Sequence, residues 1–245
     1  QKVTHSEYIA QKKPLAKQLL AKLNEKYQYA SVLITDNYEK GYRASRSGVA
    51  ISATNAFGGK GMIVKVYDGK GYAEYSTNEI TAENLPEIER EIEQQLMNPA
   101  NFIPEGTEEA EYKCISDEPC TLCEATDYEI HPREVGDEKL IETVTALREK
   151  AVKADKRILD AITGFNYQDY HKLFLSANRE LEQSVLYSTG IMALVAAKGE
   201  EIKQSFRGFS NLGGAELLDK MESAIPQCVK TVTDLLNAEP MEPGT

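Results

Sequence analysis

The chain has 245 residues, with 28 basic side chains against 39 acidic ones, and a formal charge of −11. That balance repels phosphate backbones and excludes nucleic acid as the expected direct partner. The length suffices for one large domain or two ordinary ones, so stability does not require disulfides.

No apolar run reaches the length needed to cross a bilayer, and the opening "QKVTHSEYIAQKKPLAKQ" has no signal-peptide core. These features predict a soluble, cytoplasmic chain with no membrane partner. Four cysteines, three of them crowded between Cys114 and Cys123 and the fourth at Cys228, do not form the regular framework of a secreted disulfide protein. A reducing compartment fits them better. The first residue is Gln1 rather than Met, as expected of a piece of something longer.

From Pro14, apolar residues at Leu15, Leu19, Leu20 and Leu23 predict a first helix, with the proline in its first turn. The period then changes. "ASVLIT", "SGVAISA" and "GMIVKVY" are short and β-branched, and Asp68-Gly69 is placed as a hairpin turn before "GYAEY". Thr81 is positioned to cap a helix striped by Leu85, Ile88, Ile92 and Leu96, ended by Asn98-Pro99. Residues 99–136 hold four prolines, many carboxylates and three cysteines without a sustained period, and read as an irregular linker or insertion.

Asp137 is then expected to cap a long helix carrying Leu140, Ile141, Val144, Leu147, Ala151, Ile158 and Leu159 on its inner side. "YHKLFLSA", "QSVLYS", "IMALVAA" and "EIKQSF" predict strands, with a turn at Lys198-Gly199-Glu200. A last helix carries Leu217, Leu218, Met221, Ile225, Val229, Val232 and Leu236, with a kink expected at Pro226. The fold class is therefore α+β, antiparallel sheets flanked by helices. The order helix, strands, helix occurs twice, over 1–98 and 137–245, which suggests an internal duplication whose two sheets join into one.

Local chemistry is sparse. A helical zinc hydrolase site needs two histidines one turn apart, and His5, His131 and His171 are too scattered along the chain to supply it. "RGFSNLGG" misses the spacing of a nucleophile elbow by one residue, and "AFGGKGM" lacks the first glycine and the following helix of a phosphate loop. Carboxylates at helical spacing such as Glu89 and Glu93 read as a solvated face. Tyr72 with Tyr75, Tyr167 with Tyr170, and Phe206 with Phe209 suit a peptide groove, although alternation favours packing. Cys120 and Cys123 have zinc-knuckle spacing, and Cys114 and His131 are positioned in sequence to complete a tetrahedral set. A single CxxC also fits a disulfide or redox pair, with less weight, and unligated linker thiols, with the greatest weight.

"VYDGKGYAEYSTNEITAENLPE" resembles the N-terminal half of the TldD/PmbA family, with Asp68, Gly69, Gly71, Tyr72, Ala73, Ser76, Thr77, Asn78, Thr81 and Leu85 in the matching places. Glu74 and Tyr75 lengthen the usual join. "SRSGVAIS" and "LFLSANRELEQSVLYSTGIMALVAAKGEEIKQSFRGFSNLGGAELL" resemble the family's neighbouring blocks. The resemblance implies half of a zinc metallopeptidase acting on unfolded or precursor peptides, a group also labelled modulators of DNA gyrase, assembled as homodimers or heterodimers. It implies zinc held by His-Glu-x-x-x-His and a cysteine in a C-terminal half beyond "LLNAEPMEPGT", and so no catalytic residue and no family metal ligand in this chain. The alternative is a non-enzymatic peptide- or protein-binding module, or an inactive partner subunit, with Cys114, Cys120, Cys123 and His131 stapling a loop through zinc.

Overall fold

The computed structural model describes residues 1–53, 59–97, 106 and 111–239. Their elements run α1 (Glu7–Lys26), β1 (Tyr29–Ser45), β2 (Gly48–Ala53), β3 (Lys60–Tyr67), β4 (Tyr72–Thr77), α2 (Leu85–Met97), β5 (Cys120–Ala125), α3 (Pro132–Val135), α4 (Asp137–Lys153), β6 (Ile158–Ser176), β7 (Arg179–Lys198), β8 (Glu201–Leu212) and α5 (Leu217–Leu235). The fold is α+β, as expected. All eight strands join one sheet in the order β4-β3-β1-β6-β7-β5, with β2 on the second half of β1 and β8 on the second half of β7. Every pairing is antiparallel except β5 with β7. The order helix, strands, helix does recur, but β1 bridges two hairpins whereas β7 takes a parallel neighbour, so the pairings of the two halves differ.

Period-2 alternation explains how one sheet carries two cores. On β6, Phe165, Tyr167, Leu173 and Leu175 are buried, while Gln168, Tyr170, Lys172 and Phe174 between them are half-buried. The register pairs Ile34 with Leu173 and Tyr42 with Phe165 without a slip, so all four lie on one inner face. At one end of that face α1 and α2 pack Ile9, Leu19, Leu23, Ile88 and Ile92 over Ile34, Val64 and Leu173. At the other, α4 and α5 pack Leu140, Val144, Leu147, Met221 and Ile225 over Tyr42, Phe165 and Leu194. Each fully buried aliphatic side chain contributes about 1.5–3 kcal/mol, so these helix stripes hold the layers together.

Several boundaries differ from the sequence expectation. Helix α1 starts at Glu7 because the Ser6 hydroxyl accepts from the Ile9 N–H, an N-cap bond, and Pro14 lies inside the helix rather than in its first turn. Helix α4 begins after Gly136, whose φ of 84° breaks the chain direction. Asp137 makes no cap bond; its carboxylate accepts from Lys40 Nζ at 2.6 Å and Tyr42 Oη at 2.7 Å, fastening the helix to β1. Ile158 and Leu159 belong to β6, not to α4. The 99–136 stretch is not wholly irregular, since it supplies β5 and the single turn α3. Asn98-Pro99, Ala56 to Gly58 of "AFGGKGM", and the last six residues fall outside the described residues. Among the described residues, no helix is long and apolar enough to cross a membrane.

Candidate functional site

Between the two cores the inner face turns polar. Strand alternation places Asp169 and His171 on it, and the register sets Asp36 of β1 and Ser184 of β7 on either side of His171. The N-terminal segment delivers His5: the Val3 N–H donates to the Thr126 carbonyl, and the Ser6 hydroxyl donates to Asp36 at 2.7 Å. His131 caps α3, which also presents Arg133. His5, Asp36, His131, Arg133, Asp169 and His171 line a cleft of about 400 Å³ with Tyr38, Tyr128 and Glu134.

The contacts form a continuous chain. The Ser184 hydroxyl lies 2.9 Å from His171 Nδ1 and 2.8 Å from His5 Nδ1. His171 Nε2 stands 2.9 Å from Asp169 Oδ1, an ion-pair contact off the line of a hydrogen bond, so that Oδ1 has no aligned donor. Arg133 reaches Asp169 Oδ2 at 3.2 Å and His131 Nε2 lies 3.7 Å from the same oxygen. Arg133 also stacks on Tyr38, with its guanidinium carbon 4.3 Å from the ring centre.

One proton arrangement satisfies the chain. A nitrogen facing a carboxylate must carry hydrogen, so His171 presents Nε2–H to Asp169 and its bare Nδ1 accepts from Ser184. Ser184 oxygen then accepts from His5 Nδ1–H, which leaves His5 Nε2 as an acceptor. His131 Nδ1 accepts from the Arg133 N–H, which likewise puts its proton on Nε2, toward Asp169. Burial pushes the Asp169 carboxyl up, but the imidazoles of His131 and His171 and the charge of Arg133 outweigh it and hold the group well below the usual carboxylate range. Burial, reinforced by the neighbouring Tyr38, pushes the Tyr167 phenol up, so it stays neutral beside this charge cluster. The seam is thus a buried carboxylate screened by two imidazoles and one guanidinium, with His5 joined to it through Ser184 and His171.

The four candidate zinc ligands are not brought together. Cys114 precedes β5, where its neighbours Tyr112 and Ile115 bond to Tyr67 and Tyr72. Cys120 and Cys123 both sit on exposed β5, and a three-residue step along a strand sends their side chains to opposite faces. His131 is engaged by Arg133 and Asp169 instead. Among the described residues, no three His, Cys, Asp or Glu side chains form a group able to hold a metal. The residues present do not fit the zinc staple.

The aromatic pairs divide. Tyr72 stacks on Tyr67 with ring centres 4.8 Å apart, and Tyr167 is buried against Tyr38, so these pack rather than line a groove. Phe206 projects from β8 and is 79% exposed.

No family model matches the chain, and no curated protein matches it. Solved structures do. A candidate modulator of DNA gyrase from Thermotoga maritima matches with a TM-score of 0.71 at 13% identity, over 95% of this chain and 50% of that one. A second candidate modulator of DNA gyrase, from Bacteroides thetaiotaomicron, matches with a TM-score of 0.67 at 15% identity, over 94% and 51%. TldE from Thermococcus kodakarensis matches with a TM-score of 0.62 at 13% identity, over 89% and 47%. The chain has a TldD/PmbA-like fold. It spans about half the length of these solved structures.

Within that TldD/PmbA-like fold, the stretch that carried the sequence resemblance forms the β3–β4 hairpin and its exit. Asp68 accepts from the Lys70 and Gly71 N–H groups in the turn, and Gly69 takes a φ of 102°. The seam lies elsewhere. Its histidines come from the N-terminal segment, the N-cap of α3 and β6, and contacts between residues remote in sequence unite them. The one sequence signal for it was Asp169-x-His171, two polar residues on an otherwise apolar alternating face.

Proposed function

We propose that this chain is the substrate-enclosing and dimer-forming half of a TldD/PmbA-like metallopeptidase that acts on unfolded or precursor peptides in the cytoplasm. The observation that carries this reading is the match of nearly the whole chain to half of each solved neighbour. The sheet adds a physical rationale. Strand β8 pairs with β7 along one edge and has no strand on the other among the described residues. On the outer face beside it, Ile202, Phe206 and Leu212 are 62%, 79% and 69% exposed. A free edge next to apolar side chains suits an extended peptide, which gains backbone pairing from the edge and side-chain contacts from the face. On this reading zinc belongs to a half outside these 245 residues, where it would polarise the scissile carbonyl and activate water.

The decisive experiment compares a longer gene product carrying His-Glu-x-x-x-His with residues 1–245 alone, both supplied with zinc and an unstructured peptide. Cleavage only by the longer protein is expected; cleavage by residues 1–245 alone would overturn the division of labour. The exposed apolar strip also favours a second reading, a non-enzymatic binding module or inactive partner subunit. That reading wins if the longer protein lacks the motif and binds the peptide uncut.

A further inference from the structure

The proton chain of the seam does not end at His5. His5 Nε2, the acceptor nitrogen left by the arrangement above, lies 3.5 Å from Cys123 Sγ. We infer that Cys123 is a base-assisted nucleophilic thiol, poised for exchange with low-molecular-weight disulfides. Three features beyond the contact support this. Cys123 is exposed on β5, an edge strand with no neighbour on its outer side among the described residues, so a small disulfide has access. The base is oriented by Ser184, which is 1% exposed and therefore fixed, and Ser184 is in turn held by His171, which is 8% exposed. The chain ends on Asp169, whose carboxylate stands 2.9 Å from His171 Nε2 and so fixes which ring nitrogen of His171 carries hydrogen. This is the arrangement of nucleophile, base and orienting group that activates a thiol.

The step balances with the disulfide as oxidant. The Cys123 S–H bond breaks and its proton passes to His5 Nε2; the sulfur's electron pair attacks one sulfur of R–S–S–R. A Cys123–S–S–R bond forms as the original S–S bond breaks, and the departing RS⁻ takes up the proton held by His5. No resolving thiol stands on the same face, because Cys120 points to the other side of the strand. The product is a stable mixed disulfide until an external thiol reverses it.

Cys120 supplies an internal control. It is three residues away on the same strand and also exposed; its strand partner is Arg179 whereas that of Cys123 is Glu182, so the neighbouring charges favour Cys120 and a faster Cys123 must come from His5. The test treats the intact 245-residue protein with oxidised glutathione at pH 7 and follows glutathionylation at each cysteine by peptide mass spectrometry. Positioned bases speed proton transfer by about 100-fold or more at enclosed sites, and solvent access here reduces the expected advantage of Cys123 over Cys120 to about tenfold. H5Q should bring Cys123 down to the Cys120 rate, and S184A should place it between the two. Equal rates at Cys120 and Cys123 in the unaltered protein would overturn the proposal. So would an undiminished Cys123 rate in H5Q. The first comparison requires no variant to fold.

Discussion

Asp169 is the residue on which the polar seam depends. Its side chain is 7% exposed and faces Arg133, His131 and His171, so it is a buried ion whose cost is met only while those partners remain. Asp169→Asn removes the charge but keeps the shape, leaving the cation and imidazoles without their counterion. Because Arg133 is half-exposed, we expect a loss on the order of 2 kcal/mol rather than the larger penalty of a fully enclosed pair. For a chain of this size that is a drop in Tm of about 4–8 °C at pH 7. The pH dependence has a definite sign. The folded carboxyl titrates below its unfolded value, so its contribution is complete above about pH 4 and is lost as pH falls through the lower, folded value. Thermal melts of both proteins should therefore differ most at neutral pH and converge in strong acid; a gap that widens steadily below pH 4 would contradict the assignment.

At the level of elements, close approaches decide where layers meet. Gly214 joins β8 to α5, and a Cβ there would strike the Ile130 carbonyl, which accepts the Ala215 N–H at 2.8 Å. The Gly214 carbonyl in turn accepts from buried Ser188. Neither backbone can yield as a flexible side chain would, so Gly214→Ala should cost about 1–3 kcal/mol, read as a lower urea midpoint with an unchanged slope. The same elements show what was legible in the sequence. The α5 stripe was read correctly because seven apolar residues at helical spacing leave little ambiguity, and each is buried. Strand β7 was read as two because Gly190 interrupts its apolar run, yet that glycine is where Met221 of α5 packs against the strand. The second half of β1, "DNYEKGYRAS", carries no strand signal in the sequence because most of its polar residues meet the seam and solvent, leaving only Tyr42 and Ala44 in a core. Strand β5 was invisible because its burial is slight and its partner is remote. The three-histidine seam was illegible for the same reason: each member has a local environment, but their meeting depends on contacts between residues remote in sequence, register among them.

The whole molecule follows from β1 lying between β3 and β6. The residues of the first stretch and those of the last do not form separate sheets, since β1 pairs with β6 continuously from Ser31–Ser176 to Ala44–Thr163. Core residues of α1 and α2 consequently pack on Leu173 and Leu175, which belong to the second stretch. Removing the second stretch would expose a full edge of β1 and strip part of the floor from the first core. Residues 1–98 alone should therefore lack cooperative folding, showing weak, noncooperative thermal loss of circular dichroism and a tendency to associate through the bare edge. The intact chain should lose strand signal and core protection in one transition, because the long strands β1 and β6 cross from one core to the other and cannot melt at one end without unpairing at the seam. Calorimetry with parallel hydrogen exchange tests this. Two resolved transitions, with amides over α1 and α2 exchanging independently of those over α4 and α5, would mean that the seam uncouples the cores instead of joining them.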